Sequence, residues 1–242
     1  MIRLQTLLHA VFPPDCLGCG TWVESDFALC GACWADTPFI LGAACHLCGV
    51  ALPGQHSMAE RLICDDCLST PRPWQAGRAV FGYAGVGRKL VLGLKHGDRA
   101  EVARAAGRWM ARAGADLFND KPVFVPIPLH WRRLAKRRFN QAALLAQAVA
   151  HETGLPCVPQ ALIRRRATPT QDGRDHAARF ENVSGAILPH PRHGQAIRGK
   201  PIVLIDDVMT SGATFTAAAQ ACHQAGGGPI RVMALARVGR DA

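Results

Sequence analysis

Eight of the ten cysteines in this 242-residue chain fall in four Cys-x-x-Cys pairs, Cys16/Cys19, Cys30/Cys33, Cys45/Cys48 and Cys64/Cys67, all within the first 67 residues. Each such turn places two thiolates on one knuckle at the separation that chelates a single ion, and two knuckles complete a tetrahedron. Gly18, Gly20, Gly31 and Gly49 supply the small turn residues, and connections of ten and fifteen residues suit one four-thiolate zinc ribbon each. The spacing therefore predicts two structural zinc ions. Pairing in chain order and an interleaved cross-brace use the same eight ligands. A disulfide framework would need an oxidising compartment and an export signal. The opening, MIRLQTLLHAVFPPDC, reads instead as a short amphipathic helix, because Pro13, Pro14 and Cys16 stand where a signal peptidase site wants small residues. A redox motif would explain one pair and not four. Four thiolates leave no open coordination position, so these ions hold structure and do not catalyse, and His46 and His56 are surplus as ligands.

With 49% hydrophobic and 19% charged residues, the chain can bury a proper core, which excludes disorder. Its apolar runs stop short of the roughly 18 residues that cross a bilayer, so the expectation is a cytoplasmic protein without a membrane span. The formal charge of +10 is unevenly spread. Residues 1 to 76 carry three basic and seven acidic groups, the remainder 25 basic and 11 acidic. The larger, basic part suits an anionic ligand, phosphate or nucleic acid.

Residues 69 to 74, SerThrProArgProTrp, follow the last knuckle with two prolines that extend neither helix nor strand. They set the expected boundary between a double zinc-ribbon domain, 1–73, and a second domain, 74–242. Beyond it, apolar strands at 79–84, 123–127, 201–206 and 230–238 alternate with helical stretches at 86–95, 99–116, 139–153 and 213–225. That alternation predicts an α/β domain around a largely parallel sheet.

The most specific stretch is PIVLIDDVMTSGATFTAAAQAC. Residues 202–205 form a mostly β-branched apolar run, as a strand covered on both faces requires. Asp206 and Asp207 follow, then a loop of hydroxyl and glycine residues leading into an Ala-rich helix. Backbone N–H groups and the helix amino terminus can surround an anion there, which places a phosphate at residues 210 to 214. The carboxylates would repel that phosphate but suit ribose hydroxyls or a magnesium ion. Together they describe a sugar-phosphate pocket at the carboxyl edge of a sheet. Ile202 to Thr214 resembles the thirteen-residue signature of the type I phosphoribosyltransferases, which bind phosphoribosyl pyrophosphate. By that resemblance Asp206 and Asp207 hold the ribose 2′ and 3′ hydroxyls, and Thr210, Ser211, Gly212, Ala213 and Thr214 hold the 5′-phosphate.

Adding the four knuckles, GLKHGDR (93–99), VPIPLHWRRLAKRRFNQAALLA (125–146) and RRRATPTQDGRDHAARFENVSGAI (164–187), nearly the whole chain resembles the ComF family of bacterial competence proteins. The resemblance implies a type I phosphoribosyltransferase-like parallel sheet flanked by helices and preceded by a small double zinc ribbon. It also implies a role in natural transformation, the uptake and handling of single-stranded DNA. The chain departs from the family pattern at Arg138, where Gly is common, at His96 (Tyr), Arg174 (Leu) and Ser211 (Thr), and these leave every phosphate-binding group in place. Displacement at C1 of the donor needs its pyrophosphate neutralised by magnesium and basic side chains, for which Lys95 and Arg137 are the catalytic candidates beside Asp206 and Asp207. The polar segment 164–179 resembles a mobile catalytic loop, where Gln171, Arg179 and Asn182 match the family.

Two basic clusters, Arg132, Arg133, Lys136, Arg137, Arg138 and Arg164, Arg165, Arg166, could instead follow a nucleic-acid backbone, with Trp131 and Phe139 flanking the first. Three readings stand: a binder of phosphoribosyl pyrophosphate acting in DNA uptake; an active transferase acting on a nitrogenous acceptor; and an interaction protein whose ribbons recruit DNA or a helicase-like partner beside a vestigial pocket.

Overall fold

A computed structural model describes residues 12–54, 61–96, 99–167 and 176–239, with backbone alone for His96, Lys136 and residues 176–179. The helix expected before Pro13, His56, Gln171, Arg174 and the side chain of Arg179 lie outside what is described.

Four parallel strands form one sheet: β1 (Gly77–Gly82), β2 (Val123–Pro126), β5 (Ile202–Met209) and β6 (Ile230–Arg237), in the order β1-β6-β5-β2. Side chains alternate across β5, so Val203 and Ile205 enter one core and Ile202 and Leu204 the other. The first core is closed by three helices, α3 (Gly85–His96), α4 (Val102–Ala113) and α6 (Gln141–Thr153). Over the second lie α8 (Ala213–Gln224), the short antiparallel pair β3 (Leu162–Arg164) and β4 (Ile187–Pro189), and α7 (His176–Val183). A mainly parallel sheet flanked by helices is thus what the alternation of patterns predicted.

The cysteine-rich segment is built into this sheet. Each pair of knuckles has one short helix, α1 (Gly31–Ala35) in the first and α2 (Asp65–Ser69) in the second. The chain between the two sets runs along the outer edge of β1: Phe39 bridges Phe81, Ile40 N donates to Val80 O (2.9 Å), Gly82 N to Pro38 O (2.9 Å) and Gly77 N to His46 O (2.8 Å). An open parallel sheet would leave those groups unpaired. At the opposite edge Phe124 pairs with residues 156–158 in the same way. From β1 the two knuckle sets divide between the faces. Cys16, Leu17 and Cys33 pack with Phe81 and Val86, whereas Cys45, Cys48, Cys67 and Trp74 pack with Met209 and Phe215. Segment 70–76 is held near its carboxyl end, Trp74 Nε1 donating to Leu47 O (2.6 Å) and Gln75 N to Ile230 O (2.9 Å).

Two differences from the sequence reading matter. First, β5 extends through both acidic residues to Met209, because its ladder with β6 continues to the Met209–Arg237 pair. Second, residues 131–137 form an additional helix, α5 (Trp131–Arg137), whose polar composition hid it. It opens on the His130 side chain, which accepts from Arg132 N (3.3 Å), and ends at Arg138 with φ 66°, in the left-handed region. A glycine would suit that position better, because a Cβ is penalised at that φ by about 1 kcal/mol. Arg138→Gly is therefore expected to raise the melting temperature by about 3 °C, read by thermal denaturation of the metal-loaded protein; a fall would contradict the assignment.

Candidate functional site

The first cluster gathers Cys16, Cys19, Cys30 and Cys33, the second Cys45, Cys48, Cys64 and Cys67, with all ligand atoms within 4.8 Å of one another in each. Pairing follows chain order, which settles the alternative that spacing left open. Across each cluster the sulfurs approach to 3.7 Å (Cys19–Cys30) and 3.6 Å (Cys48–Cys64). Tetrahedral zinc with Zn–S bonds of about 2.3 Å sets its sulfurs about 3.8 Å apart, so the residues fit the ion. Backbone N–H groups of Gly18 and Cys30 point at Cys16 Sγ (3.3 and 3.2 Å), and Cys64 N points at Cys45 Sγ (3.4 Å), as donors do around a thiolate. Without a cation the sulfurs share protons. Hydrogen bonds from Cys48 and Cys67 pull the Cys45 thiol down, while burial pushes the Cys64 thiol up to about 11. A divalent ion removes that conflict by accepting all four thiolates.

The second feature lies at the end of β5. Strand alternation sends Asp206 and Asp207 to opposite faces. Asp207 is buried and meets Lys95 of α3, with Nζ 3.3 Å from Oδ2. Asp206 Oδ1 accepts from Asp207 N (2.9 Å). Desolvation first, then the charge of Asp207, push the Asp206 carboxyl up to about 8 from the ordinary 3.8, against opposing pulls from Asp207 N, Lys95 and Arg164. Arg164 closes β3, and burial followed by the repulsion of Arg133 draws its guanidinium down, with Asp206 opposing. Arg137 bonds Gln141 Oε1 (3.3 Å) and repels Arg133. The structure therefore brings Lys95 into contact with Asp207 of the acidic pair, whereas Arg137 engages Gln141 and neither carboxylate. Arg164 was grouped in the sequence with a nucleic-acid cluster, yet it stands within electrostatic reach of Asp206.

Residues 210–214 form a tight turn into α8. Gly212 caps the helix at φ 84°, a conformation that favours glycine. The N–H groups of Thr210, Ser211 and Gly212 have no partner among the described residues, and Ala213 N has only the long bond to Ser211 Oγ (3.4 Å). Their carbonyls are engaged: Arg237 Nη1 donates to Thr210 O (2.7 Å) and Met209 O (3.3 Å), and Arg72 Nη1 to Ser211 O (2.8 Å). Sequence reasoning missed both arginines, since they lie 139 and 27 residues from the carbonyls that they reach. Beside the turn a cleft of about 300 Å³ is lined by Phe180, Ser184, Ala213, Thr216 and Gln220. The arrangement is an acidic pair next to a row of backbone donors that have no partner among the described residues.

A double ribbon of two four-cysteine zinc sites joined to a parallel α/β domain defines the class. Residues 7–69 match the family model for a double zinc ribbon domain. DNA utilization protein YhgH of Salmonella typhimurium is 35% identical over 199 residues, covering 80% of this chain and 83% of that one. Competence protein ComFC of Bacillus subtilis is 26% identical over 211 residues, covering 84% and 81%. Among solved structures, adenine phosphoribosyltransferase from Thermoanaerobacter pseudethanolicus overlaps 57% of this chain and 82% of its own, with 15% identity and a TM-score of 0.35. The chain belongs to the ComF family. No described helix is long and apolar enough to cross a membrane.

The raised Asp206 pKa has a sign that can be checked. The unfolded chain loses this proton near pH 4 and the folded one near 8, so this group's contribution is complete at low pH and is lost as pH rises between those values. Asp206→Asn is expected to raise the melting temperature at pH 8.5 and leave it nearly unchanged at pH 4, followed by calorimetry; equal shifts at both would contradict the burial of an acid.

Proposed function

We propose that this protein binds phosphoribosyl pyrophosphate, or a related ribose phosphate, as its magnesium complex, and acts in the cytoplasm on single-stranded DNA. The observation that carries the first part is the row of unpartnered N–H groups at Thr210, Ser211 and Gly212, at the amino terminus of a twelve-residue helix and beside two carboxylates. A 5′-phosphate accepts from the loop, with the helix adding its partial positive charge. The 2′ and 3′ hydroxyls donate to Asp206 and Asp207. Those donors, or a magnesium ion, favour ionised carboxylates, so ligand and proton compete at Asp206. Lys95, held by Asp207, supplies positive charge for the pyrophosphate, and Arg164 lies within electrostatic reach of Asp206 on the other face. This geometry also suits transfer to a nitrogenous acceptor, because it neutralises the leaving group that such a displacement expels.

DNA handling rests on other residues. The relatives bear the names of DNA utilization and competence proteins. In α5, Trp131 is 65% exposed with the Arg132 guanidinium 5.3 Å from its ring centre, and Arg133 follows. An exposed indole next to cations offers a base a stacking surface and its phosphates a counter-charge.

Calorimetric titration with phosphoribosyl pyrophosphate and magnesium is expected to show one site per chain, weakened at least a hundredfold in the Asp206→Asn, Asp207→Asn double variant, since two charge-assisted contacts are lost. Trp131→Ala with Arg132→Ala should leave that titration unchanged while weakening fluorescein-labelled oligonucleotide binding about tenfold. Equal affinity of the wild type and the double carboxylate variant would overturn the ligand reading.

A further inference from the structure

The two cysteine clusters are not equivalent. The first, on the α3 face, reaches the larger domain through packing and the bond from Arg99 Nη1 to Leu17 O (2.8 Å). The second is tied to the 209–212 turn by two arginines. Arg237, 3% exposed at the end of β6, sends Nη2 to Cys48 Sγ (3.5 Å) and Nη1 to the carbonyls of Met209, Thr210 and Val238. Arg72, from the segment after the last knuckle, lies 5.5 Å from the centre of the Trp74 ring and donates to Ser211 O, and its charge favours the Cys67 thiolate. Trp74 is itself fixed to Leu47, inside the Cys45/Cys48 knuckle.

Neither arginine has an ion-pair partner among the described carboxylates, and the Nε of each is buried without a hydrogen-bond partner. Burying a guanidinium without an opposite charge is costly. A zinc ion with four thiolates carries a net charge of −2; Arg237 meets that charge at Cys48, and the charge of Arg72 favours the ionised Cys67. The same guanidiniums fix the direction of two peptide planes, through Thr210 O and Ser211 O, and share a third with the strand ladder, since Met209 O also accepts from Val238 N (3.0 Å). In a trans peptide the C=O of one residue and the N–H of the next point opposite ways. Turning the carbonyls of Met209, Thr210 and Ser211 toward the arginines therefore turns the N–H groups of Thr210, Ser211 and Gly212 away from them. Those are the three donors of the turn without partners among the described residues. Gly212 completes the fit, since a Cβ there would stand 2.9 Å from Arg72 Nη1 and 3.3 Å from Trp74.

We infer that Arg72 and Arg237 are positioning residues through which the metal-loaded second cluster sets the amide cradle, so that ligand affinity at the 210–214 turn and zinc retention by that cluster are thermodynamically coupled while the first cluster is independent. This rests on the turn being the phosphate site. Reciprocity requires that a ligand favoured by the ordered turn also slow zinc loss from the second cluster.

The test uses the full chain loaded with two zinc ions. Transfer to a chromophoric chelator is followed with and without phosphoribosyl pyrophosphate and magnesium, and each phase is assigned with Cys19→Ser and Cys64→Ser. The ligand is expected to slow only the phase belonging to the second cluster. Arg237→Gln and Arg72→Gln, each checked for two zinc ions by metal analysis, should speed that phase and weaken the ligand about tenfold. Arg237→Lys keeps the charge but cannot span sulfur and carbonyl, so it should restore zinc retention more than ligand affinity. Ligand affinity within twofold of wild type in both glutamine variants, or slowing of both zinc phases alike, would overturn the coupling. If the wild type itself binds no ligand, the phosphate-site reading has failed, and the coupling falls with it. If a glutamine variant loses its fold, the zinc phases of the wild type with and without ligand decide the matter alone.

Discussion

Four sulfurs confined within 4.8 Å of one another can be packed against a buried sheet only if a cation holds them, and this chain makes that arrangement twice. The consequence reaches beyond the ribbons. Their connecting segment supplies the hydrogen bonds that the outer edge of β1 lacks, and the two knuckle sets cover opposite faces of the sheet beside that edge. An edge strand that would otherwise invite pairing with another chain is thereby closed from within. The ribbons and the sheet share their apolar cores, so the metal sites hold more of the molecule than the 63 residues that match the ribbon family.

A second constraint is set by strand geometry. Two acidic residues in sequence on a β-strand must face opposite ways, and β5 uses this to give each carboxylate its own surroundings. Asp207 is matched by Lys95, whereas Asp206 is desolvated and repelled by its neighbour and keeps its proton near neutrality. Such an arrangement costs stability in the free protein and is relieved by whatever donates to Asp206. Carboxyl groups held in that way cluster at functional sites.

Much of this was legible in the sequence, and the reasons differ between parts. Cysteine spacing disclosed all eight ligands because a knuckle is a local object. The apolar runs disclosed the four sheet strands to within a few residues because each is covered on both faces. The three-residue strands β3 and β4 were not visible, since Leu162–Arg164 and Ile187–Pro189 are too short to show a period. Helix α5 escaped because its two bulky apolar residues, Trp131 and Leu134, are largely exposed and give it no buried stripe. At the site, Asp206, Asp207 and the 210–214 turn could be read from thirteen consecutive residues. Arg72 and Arg237 could not, because only the tertiary fold brings them to Ser211 and Thr210.

A metal cluster, a strand end and a helix amino terminus converge at the 210–214 turn, with peptide planes turned by arginine side chains. The direction of its three backbone N–H groups can be read from proton–nitrogen correlation spectra of the ¹⁵N-labelled, zinc-loaded protein as phosphoribosyl pyrophosphate and magnesium are added. The amides of Thr210, Ser211 and Gly212 are expected to move most, and downfield, as they take up an anionic acceptor. Stationary signals from these three residues, with the largest changes elsewhere, would contradict that expectation.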